Sequence, residues 1–475
     1  MQLSHTPAAT AAVFDDPNLI GSAGLVPILR LAETAGLAAL ADEHLSVPSD
    51  KGAHAGAKVT ALVAGMVAGA DSIEDMALLR HGGMRRVFER CYAPSTLGSF
   101  LRSFTFGHVR QLDAVASRFL TGLAEATSVL AGVSEVAVVD IDDTIVEVHG
   151  YAKQGAGFGY TKVRGLNALI ATVSTDASPP VIVAQRLRKG SANSARGAQR
   201  LVRDALKTVR TLAREQSKTG GRVLVRADSA YYGHPAIGAA VKTGAEVSVT
   251  VRLDPRVKAA ISTIADDSWT TIEYPRAVFD EESGSWISSA QVAEVPYVAF
   301  TSKKKTQVPG RLVVRRIPDA NAETKRRAGQ DGLFELWRHH AFFTTTDAET
   351  ADTVAVDKVH RAHAVIEQVH ADLKSSALAH LPSGKFTANA AWLVLAVMAF
   401  NLTRAAATLT GARRLARATT ATIRRTLVAG CLAGSNSSDQ CEEDGSGRTH
   451  PDHWQSGQKR AHRGRSLHVQ PVGCN

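Results

Sequence analysis

The sequence predicts an α/β protein whose core is a mixed, five-stranded sheet flanked by helices. Three successive segments rich in β-branched residues predict an antiparallel meander, and they lie at 135–148, 167–173 and 179–186. Helical and strand-like patterns then alternate, with a helix at 194–215, a strand at 222–228, a helix at 234–244 and a strand at 245–253. The order β-β-β-α-β-α-β is the topology expected of an RNase H-like sheet.

A chain of 475 residues exceeds what one hydrophobic core usually organises, so several structural units are expected. Hydrophobic residues make up 44% of the chain, which favours a globular protein. Composition and periodicity predict five regions: a helical N-terminal region at 1–130, the first part of the core at 131–254, a β-rich basic insertion at 255–345, the second part of the core at 346–428, and a disordered tail at 429–475.

The N-terminal region contains a short basic helix. Pro94 and a capping Ser95 come before this helix, which carries Arg102. The segment MRRVFER precedes it, and together they resemble a helix-turn-helix arrangement that faces a phosphate backbone. We therefore expect this region to serve DNA binding, with Arg102 as a contact, or dimerisation. The alternative is an ordinary helical bundle with solvated arginines.

The chain is basic, with 55 Lys and Arg residues against 45 Asp and Glu residues and a net charge of +10. This charge favours a polyanionic partner such as nucleic acid. The β-rich insertion carries part of it, at Lys303, Lys304, Lys305, Arg315, Arg316, Lys325, Arg326 and Arg327. These clusters are either solvated faces or a surface that grips double-stranded DNA beside the core.

The N-terminus carries acids early and has no basic segment followed by an apolar run, so it does not resemble a signal peptide. The most apolar stretch, residues 390–400, is shorter than the roughly 20 residues of a membrane span. We therefore expect a buried helix there, no membrane partner and a cytoplasmic protein. The four cysteines show no C-x-x-C spacing, which argues against a structural zinc site and a disulfide framework.

Two carboxylates project together from the first strand of the predicted core. Alternation along VVDIDDTIV places Asp140 and Asp142 on one face and Asp143 on the other. A charge inside so apolar a strand is costly unless it is paired or coordinated, and a divalent cation is one candidate partner. The alternative is that the strand ends early and that Asp142 and Asp143 begin a turn.

A second strand, at 222–228, delivers Asp228 at its carboxyl end. Open α/β sheets place their ligand sites at this end of their strands. The alternative is that Asp228 caps the following helix together with Ser229.

A third acid, Glu367, lies on a polar ridge of the helix predicted from about residue 351 to residue 374. The ridge runs beside an apolar stripe and consists of His360, His363, Glu367, His370 and Lys374. It is either a solvated surface or part of a site. Zinc binding by the three histidines is disfavoured, because there is no H-E-x-x-H motif and no fourth ligand.

Together, these acids predict a metal-dependent phosphodiesterase site. Cleavage at neutral pH needs an activated water and neutralisation of the leaving 3′-oxygen, which two Mg²⁺ ions about 4 Å apart supply, with Mn²⁺ as a substitute. We predict that Asp142, Asp228 and Glu367 hold these ions, and Asp140 is a further candidate ligand.

The segments that carry these residues resemble the "thirteen-eighty" group of insertion-sequence transposases, within the IS-four superfamily of DDE transposases. They are VVDIDDTIVEVHG, YTKVRGLNAL, VLVRADSAYYG and VIEQVHADLK, the last leading to NAAWLVLAVMAFNL. They occur in the family's order, with a long β-rich insertion before the Glu, and the likeness spans about residues 5–425.

The resemblance implies a role for each matching residue. Asp142, in an Asp-x-Thr motif, is the first catalytic acid, Asp228 the second and Glu367 the third. Lys374 follows Glu367 at the family's spacing and contacts a terminal phosphate. His360 and His363 stand where the family has a Tyr and an Arg, and we carry DNA contact over to them as a prediction.

The resemblance also implies a reaction. A homodimer binds the inverted repeats of a bacterial mobile element, hydrolyses a strand at each end and joins the freed 3′-OH to target DNA, in the nucleoid-containing cytoplasm. One alternative is an RNase H-like nuclease without strand transfer. The other is a decayed transposase that only binds DNA. The tail after residue 430 departs from the basic, Trp-containing end that is usual in this group.

Overall fold

The fold was analysed in a computed structural model of the chain. It describes residues 18–48, 52–88, 90–217, 221–280, 285–318, 337–430, 432–434 and 469–470. The predicted basic residues Lys325, Arg326 and Arg327 lie outside this description. So does most of the tail for which disorder is predicted.

The N-terminal region is helical, as predicted. Its helices are α1 (Leu25–Thr34), α2 (Leu37–His44), α3 (Ala55–Ala68), α4 (Pro94–Arg102) and α5 (Phe106–Ala126). A short strand, β1 (Leu19–Ile20), precedes α1. Helix α4 begins at Pro94 with Ala93 as the N-cap residue, so the capping role expected of Ser95 was wrong. Proline is favoured at this first position because its missing N–H would have no partner there.

The core sheet has the predicted strand order. Strands β2 to β7 are β2 (Val136–Glu147), β3 (Gly157–Phe158), β4 (Arg164–Ser174), β5 (Val181–Lys189), β6 (Arg222–Ala227) and β7 (Glu246–Val251). The longer strands lie in the order β5-β4-β2-β6-β7, with β2 antiparallel to β4 and parallel to β6. Helices α6 (Ala198–Gln216) and α7 (His234–Lys242) connect the parallel strands. This is the arrangement expected of an RNase H-like sheet.

The insertion extends the core sheet instead of forming a separate layer. After helix α8 (Pro255–Ile261) come strands β8 (Thr270–Asp280), β9 (Ser285–Ala299), β10 (Val308–Pro318) and β11 (Trp337–Thr344). Strand β11 pairs antiparallel with β7, and the sheet contains ten strands. The five long strands expected for the core are therefore present, and the insertion lengthens their sheet at β7. The open edge of β7 has backbone groups that need partners, and β11 supplies them.

The chain after the insertion returns to helices. These are α9 (Thr353–Arg361), α10 (Val365–Lys374), α11 (Phe386–Leu409), α12 (Arg413–Ala416) and α13 (Thr420–Ile423). A 3₁₀ turn, Ala362–Ala364, separates α9 from α10, so the single helix predicted up to residue 374 is broken. Two short strands, β12 (Leu432–Gly434) and β13 (Val469–Gln470), form a small antiparallel sheet with β1, in which β12 pairs with both of the others.

Helix α11 is the central helix of the hydrophobic core. It is long and apolar enough to cross a membrane by length and composition, yet its apolar window is entirely buried inside the protein. The buried helix is confirmed, whereas the argument that the stretch was too short was wrong, because the helix has 24 residues. Trp392 Nε1 donates to the Ala377 carbonyl at 2.7 Å, and Asn401 pairs with both backbone groups of Ile182 in β5. These bonds satisfy polar groups that burial would otherwise leave unpaired.

Candidate active site

The parallel pairing of β2 and β6 brings the predicted acids to one place. Asp140 lies in register with Arg226, and Ile141 lies in register with Ala227. Continuing this register by one residue places Asp142 beside Asp228. Neighbours in register point to the same face of a sheet, so Asp140 and Asp142 share a face with Arg226 and Asp228.

Asp140 is neutralised within the protein. Its side chain is fully buried, and Nε and Nη2 of Arg226 each donate to one of its oxygens at 2.7 Å. His363 Nδ1 lies 2.7 Å from Oδ1 of the same carboxylate. Arg226 also donates to the carbonyl of Val359 in α9. Since both carboxylate oxygens are occupied, Asp140 is poorly suited as a metal ligand and instead ties β2, β6 and the 3₁₀ turn together.

Asp143, on the opposite face of β2, is neutralised by a second arginine. Its side chain is 2% exposed, and Arg188 Nη2 lies 3.1 Å from its Oδ2. The amide of Asn167 and the hydroxyl of Tyr231 donate to its two oxygens. This network holds β4, β5 and the turn after β6 around β2. This network could not be predicted from the sequence, because alternation along a strand identifies the face of a side chain and not its partner.

Asp142 and Asp228 differ from these two acids in their charge balance. Within the described residues, neither forms an ion pair with an Arg or Lys side chain. Burial raises the pKa of Asp142 to about 7, the Asp143 backbone N–H lowers it, and the nearby charge of Asp228 raises it further. Burial also raises the pKa of Asp228, against the effect of the N–H of Ala230. The two adjacent acids therefore lack the positive charge that their neighbours have.

Helix α10 faces this pair of acids. His370 lies about one helical turn after Glu367, and its Nδ1 is 3.5 Å from Oδ2 of Asp142. Burial and then Lys374 lower the pKa of His370 to about 4, so it is neutral at physiological pH. Its Nε2 is buried and has no hydrogen-bond partner in the part of the chain that the structure describes. Glu367 is exposed and lies on the same face of α10 as His370, because residues three apart share a helix face.

The donor set fits a hard divalent cation. Such cations prefer carboxylate oxygens, and a nearby positive charge would relieve the raised pKa values of Asp142 and Asp228. In the part of the chain that the structure describes, no three His, Cys, Asp or Glu side chains converge closely enough to hold a metal ion as they stand. The structure thus brings Asp142 and Asp228 together and places the helix of Glu367 against them, without closing the triad.

Five of the predicted DNA contacts are available on the surface. Lys374 is exposed at the end of α10, and Arg102 is exposed at the end of α4. Lys303, Lys304 and Lys305 are exposed in the turn between β9 and β10. These side chains can meet a phosphate backbone without rearrangement.

The remaining predicted DNA contacts are engaged inside the protein. His363 is only 17% exposed and is held by Asp140. Arg315 lies 3.8 Å from Asp357, and the Arg316 guanidinium lies between the rings of Trp269 and Trp337. These contacts fix the insertion, and they leave little of either arginine for DNA.

His360 has a structural environment that does not fit the DNA contact assigned to it. Its ring stacks on Phe342 with centroids 4.0 Å apart, and its two nitrogens lie 2.8 Å from Ser248 Oγ and 3.1 Å from Thr250 Oγ1. Burial lowers its pKa to about 3. The break in the helix at Ala362–Ala364 explains the difference, because it separates His360 from the ridge that faces the acids.

A mixed sheet whose long core strands lie in the order β5-β4-β2-β6-β7, with Asp142 on β2 and Asp228 directly after β6, is consistent with an RNase H-like DDE enzyme. A family model described as "Transposase DDE domain group 1" matches residues 8–436. The chain therefore belongs to the DDE transposase family, which implies a metal-dependent transposase acting on DNA. A search of curated proteins finds no match.

The buried ion pair of Asp140 predicts a large stability difference between two substitutions on β6. Arg226→Met leaves Asp140 buried and unpaired, which we expect to lower the free energy of unfolding by about 3–5 kcal/mol. Arg222→Met, also on β6, removes a partly exposed pair with Glu246 of β7 and should cost about 0–1 kcal/mol. Urea unfolding measures both. Equal losses for the two variants would contradict the structural role of Arg226.

The raised pKa of Asp142 predicts that Asp142→Asn stabilises the protein when divalent cations are absent. The folded-state pKa of about 7 lies above the ordinary 3.8, so the wild-type protein loses stability as the pH rises between these values. The gain from asparagine should grow over this window, to the order of 1–4 kcal/mol, and level off above it. Urea unfolding in a chelator across this range measures it, with exposed Asp267→Asn as the control. A gain that is independent of pH would refute the prediction.

Proposed function

We propose that this protein binds double-stranded DNA at the terminal inverted repeats of its insertion sequence, cleaves the ends and joins the 3′-OH ends to target DNA. The observation that carries the proposal is that Asp142 and Asp228 are adjacent and have no arginine partner among the described residues, whereas Asp140 and Asp143 each have one. Family membership supplies the DNA substrate. The matching segments support assignment to the "thirteen-eighty" group.

In this proposal Asp142, Asp228 and Glu367 hold two Mg²⁺ ions, for which Mn²⁺ substitutes. When bound, such ions lower the pKa of water and neutralise charge on the scissile phosphate and its leaving oxygen. Glu367 is exposed, so its side chain is free to turn toward the two aspartates. Asp140 is not proposed as a ligand, because Arg226 and His363 occupy its oxygens.

The chain's own residues orient the acids and the DNA. Neutral His370 contacts Asp142 without cancelling its charge, and His363 fixes the turn before α10 to Asp140. Lys374 lines a cavity beside β2, and in this proposal its ammonium binds a phosphate of the DNA end. The exposed lysine turn between β9 and β10 and Arg102 extend the basic surface. We further propose a dimer that holds both ends, acting in the bacterial cytoplasm.

The three acids predict a common loss of cleavage. We expect Asp142→Asn, Asp228→Asn and Glu367→Gln each to slow Mg²⁺-dependent nicking of a labelled duplex carrying the terminal repeat by more than about 100-fold, because each removes a metal ligand. Binding of the duplex, measured by gel shift, should be retained. Glu273→Gln, an exposed acid on β8, is the control and should cleave normally.

Three other outcomes would change the proposal. Cleavage that survives Asp142→Asn would exclude Asp142 and return Asp140 as the candidate. Repeat binding without cleavage by the wild-type protein would indicate a decayed transposase that acts only as a DNA-binding protein. Cleavage without any joined product would indicate an RNase H-like nuclease.

A further inference from the structure

The connection between β2 and β4, residues 148–163, exposes three aromatic rings beside the candidate active site. We call it the aromatic loop. Tyr151 is fully exposed, Phe158 is 65% exposed and Tyr160 is 69% exposed. Exposed rings carry a hydration cost that a monomeric fold does not need, and a cluster of them indicates a binding surface.

The aromatic loop is firmly held although its rings are exposed. Gln154 N–H donates to the Gly384 carbonyl at 2.9 Å, and the Gln154 side chain accepts from Phe386 N–H at 3.1 Å. On the other side, Gly190 N–H donates to the Gly155 carbonyl at 3.0 Å. These bonds attach the loop to the start of α11 and to the end of β5. The rings are therefore presented by an ordered backbone, which lowers the entropic cost of binding a partner.

A strained turn sets the position of Tyr160. Lys162 has a φ of 57°, a left-handed conformation that is uncommon for a residue with a side chain. Its N–H donates to the Gly159 carbonyl at 3.1 Å, which closes the turn around Tyr160 and Thr161. A Cβ at Gly159 would lie 2.7 Å from the Gly190 carbonyl oxygen, so the close approach of the two segments requires glycine. Backbone strain of this kind commonly marks functional segments.

The turn forms one wall of a cavity of about 360 Å³ next to the acids. Polar residues from three elements line it: Thr144 and Glu147 of β2, Tyr160 and Thr161 of the aromatic loop, and Lys374 of α10. Thr144 lies two residues after Asp142 on the same strand. Burial raises the pKa of Tyr160, followed by the charges of Asp143, Asp142 and Asp228, so its hydroxyl lies within electrostatic range of the acids.

We propose that Phe158 and Tyr160 stack on unpaired nucleotides of the DNA end next to the scissile phosphate, while the cavity bordered by Lys374 receives the sugar-phosphate backbone of the same strand. This inference rests on the proposed function, because it places a DNA end at Asp142 and Asp228. It adds a binding site for unpaired nucleotides to the candidate active site. Contacts to duplex DNA alone would not require such a site.

Charge and chemistry favour nucleic acid over a protein partner at this surface. Three lysines are exposed on the aromatic loop or at the ends of elements near it, Lys162, Lys189 and Lys374, and Glu147 at the end of β2 is an exposed carboxylate. Aromatic rings bordered by basic side chains bind single strands, since every base has a face that stacks and every linkage carries a negative charge. A second copy of this basic chain would bring like charge to the same place.

The test combines cross-linking and affinity, both measured without divalent metal so that cleavage does not interfere. The probe is a duplex carrying the terminal repeat, with 5-iodouracil at the nucleotides that flank the cut and those nucleotides left unpaired. Irradiation should cross-link the wild-type protein at Phe158 or Tyr160. We expect Phe158→Ala and Tyr160→Ala each to raise the Kd for this probe by about 5- to 150-fold.

Three controls isolate stacking. Tyr160→Phe keeps the ring and should bind within about twofold of the wild-type protein. Leu409→Ala removes another exposed apolar side chain, which is 58% exposed and lies at the far end of α11, about 34 Å along the helix from Phe386. It should leave the Kd unchanged. A repeat duplex truncated before the terminal nucleotides should be bound equally by the wild-type protein and the two alanine variants.

The outcomes separate this inference from the function on which it rests. Wild-type binding to the repeat, with the cross-link and the Kd unchanged in both alanine variants, would overturn the inference and leave the proposed transposase intact. Alanine variants that bind the probe normally but lose self-association, measured by sedimentation, would also overturn the inference. The loop would then be a protein interface. Absence of any wild-type preference for the repeat would overturn both.

Discussion

The buried pair of Arg226 and Asp140 is the interaction on which the geometry of the active site depends. Arg226 occupies both oxygens of Asp140 from the adjacent parallel strand and also bonds the carbonyl of Val359 in α9. His363 contacts the same carboxylate from the turn that leads into α10. This buried ion pair, with its further bonds, thus joins two strands, helix α9 and the turn that leads into α10. Buried pairs of this kind often contribute more to a specific arrangement than to net stability.

The aspartates of β2 that have an arginine partner differ in role from the acids of the candidate active site. Asp140 and Asp143, on opposite faces, each have an arginine and complete hydrogen bonding, which holds the strand in place. Asp142 and Asp228 have no arginine partner among the described residues, and burial raises the pKa of both. We expect such an arrangement to destabilise the metal-free protein and to favour cation binding. It follows the general pattern in which active sites retain unfavourable charge that the rest of the fold compensates.

Local sequence patterns predicted the order of the core strands, the buried helix α11 and the placement of Asp142 and Asp228, because alternation and helical periodicity are properties of contiguous residues. They did not predict that β11 would pair with β7, since a pairing across some 90 residues leaves no local trace. They also missed the helix break at Ala362–Ala364, which moved His360 away from the acids. The structural role of Asp140 could not be predicted either, because its partner Arg226 is identified only by the register of β2 against β6.

If Asp142 and Asp228 form the cation site, as we propose, Mn²⁺ binding followed by electron paramagnetic resonance should depend on both residues. We expect the wild-type protein to bind Mn²⁺ more tightly as the pH rises to about 7, since Asp142 must lose its proton first. Asp142→Asn and Asp228→Asn should each weaken binding by more than about 10-fold, whereas Asp267→Asn should not. Wild-type affinity in either of the first two variants would contradict the account.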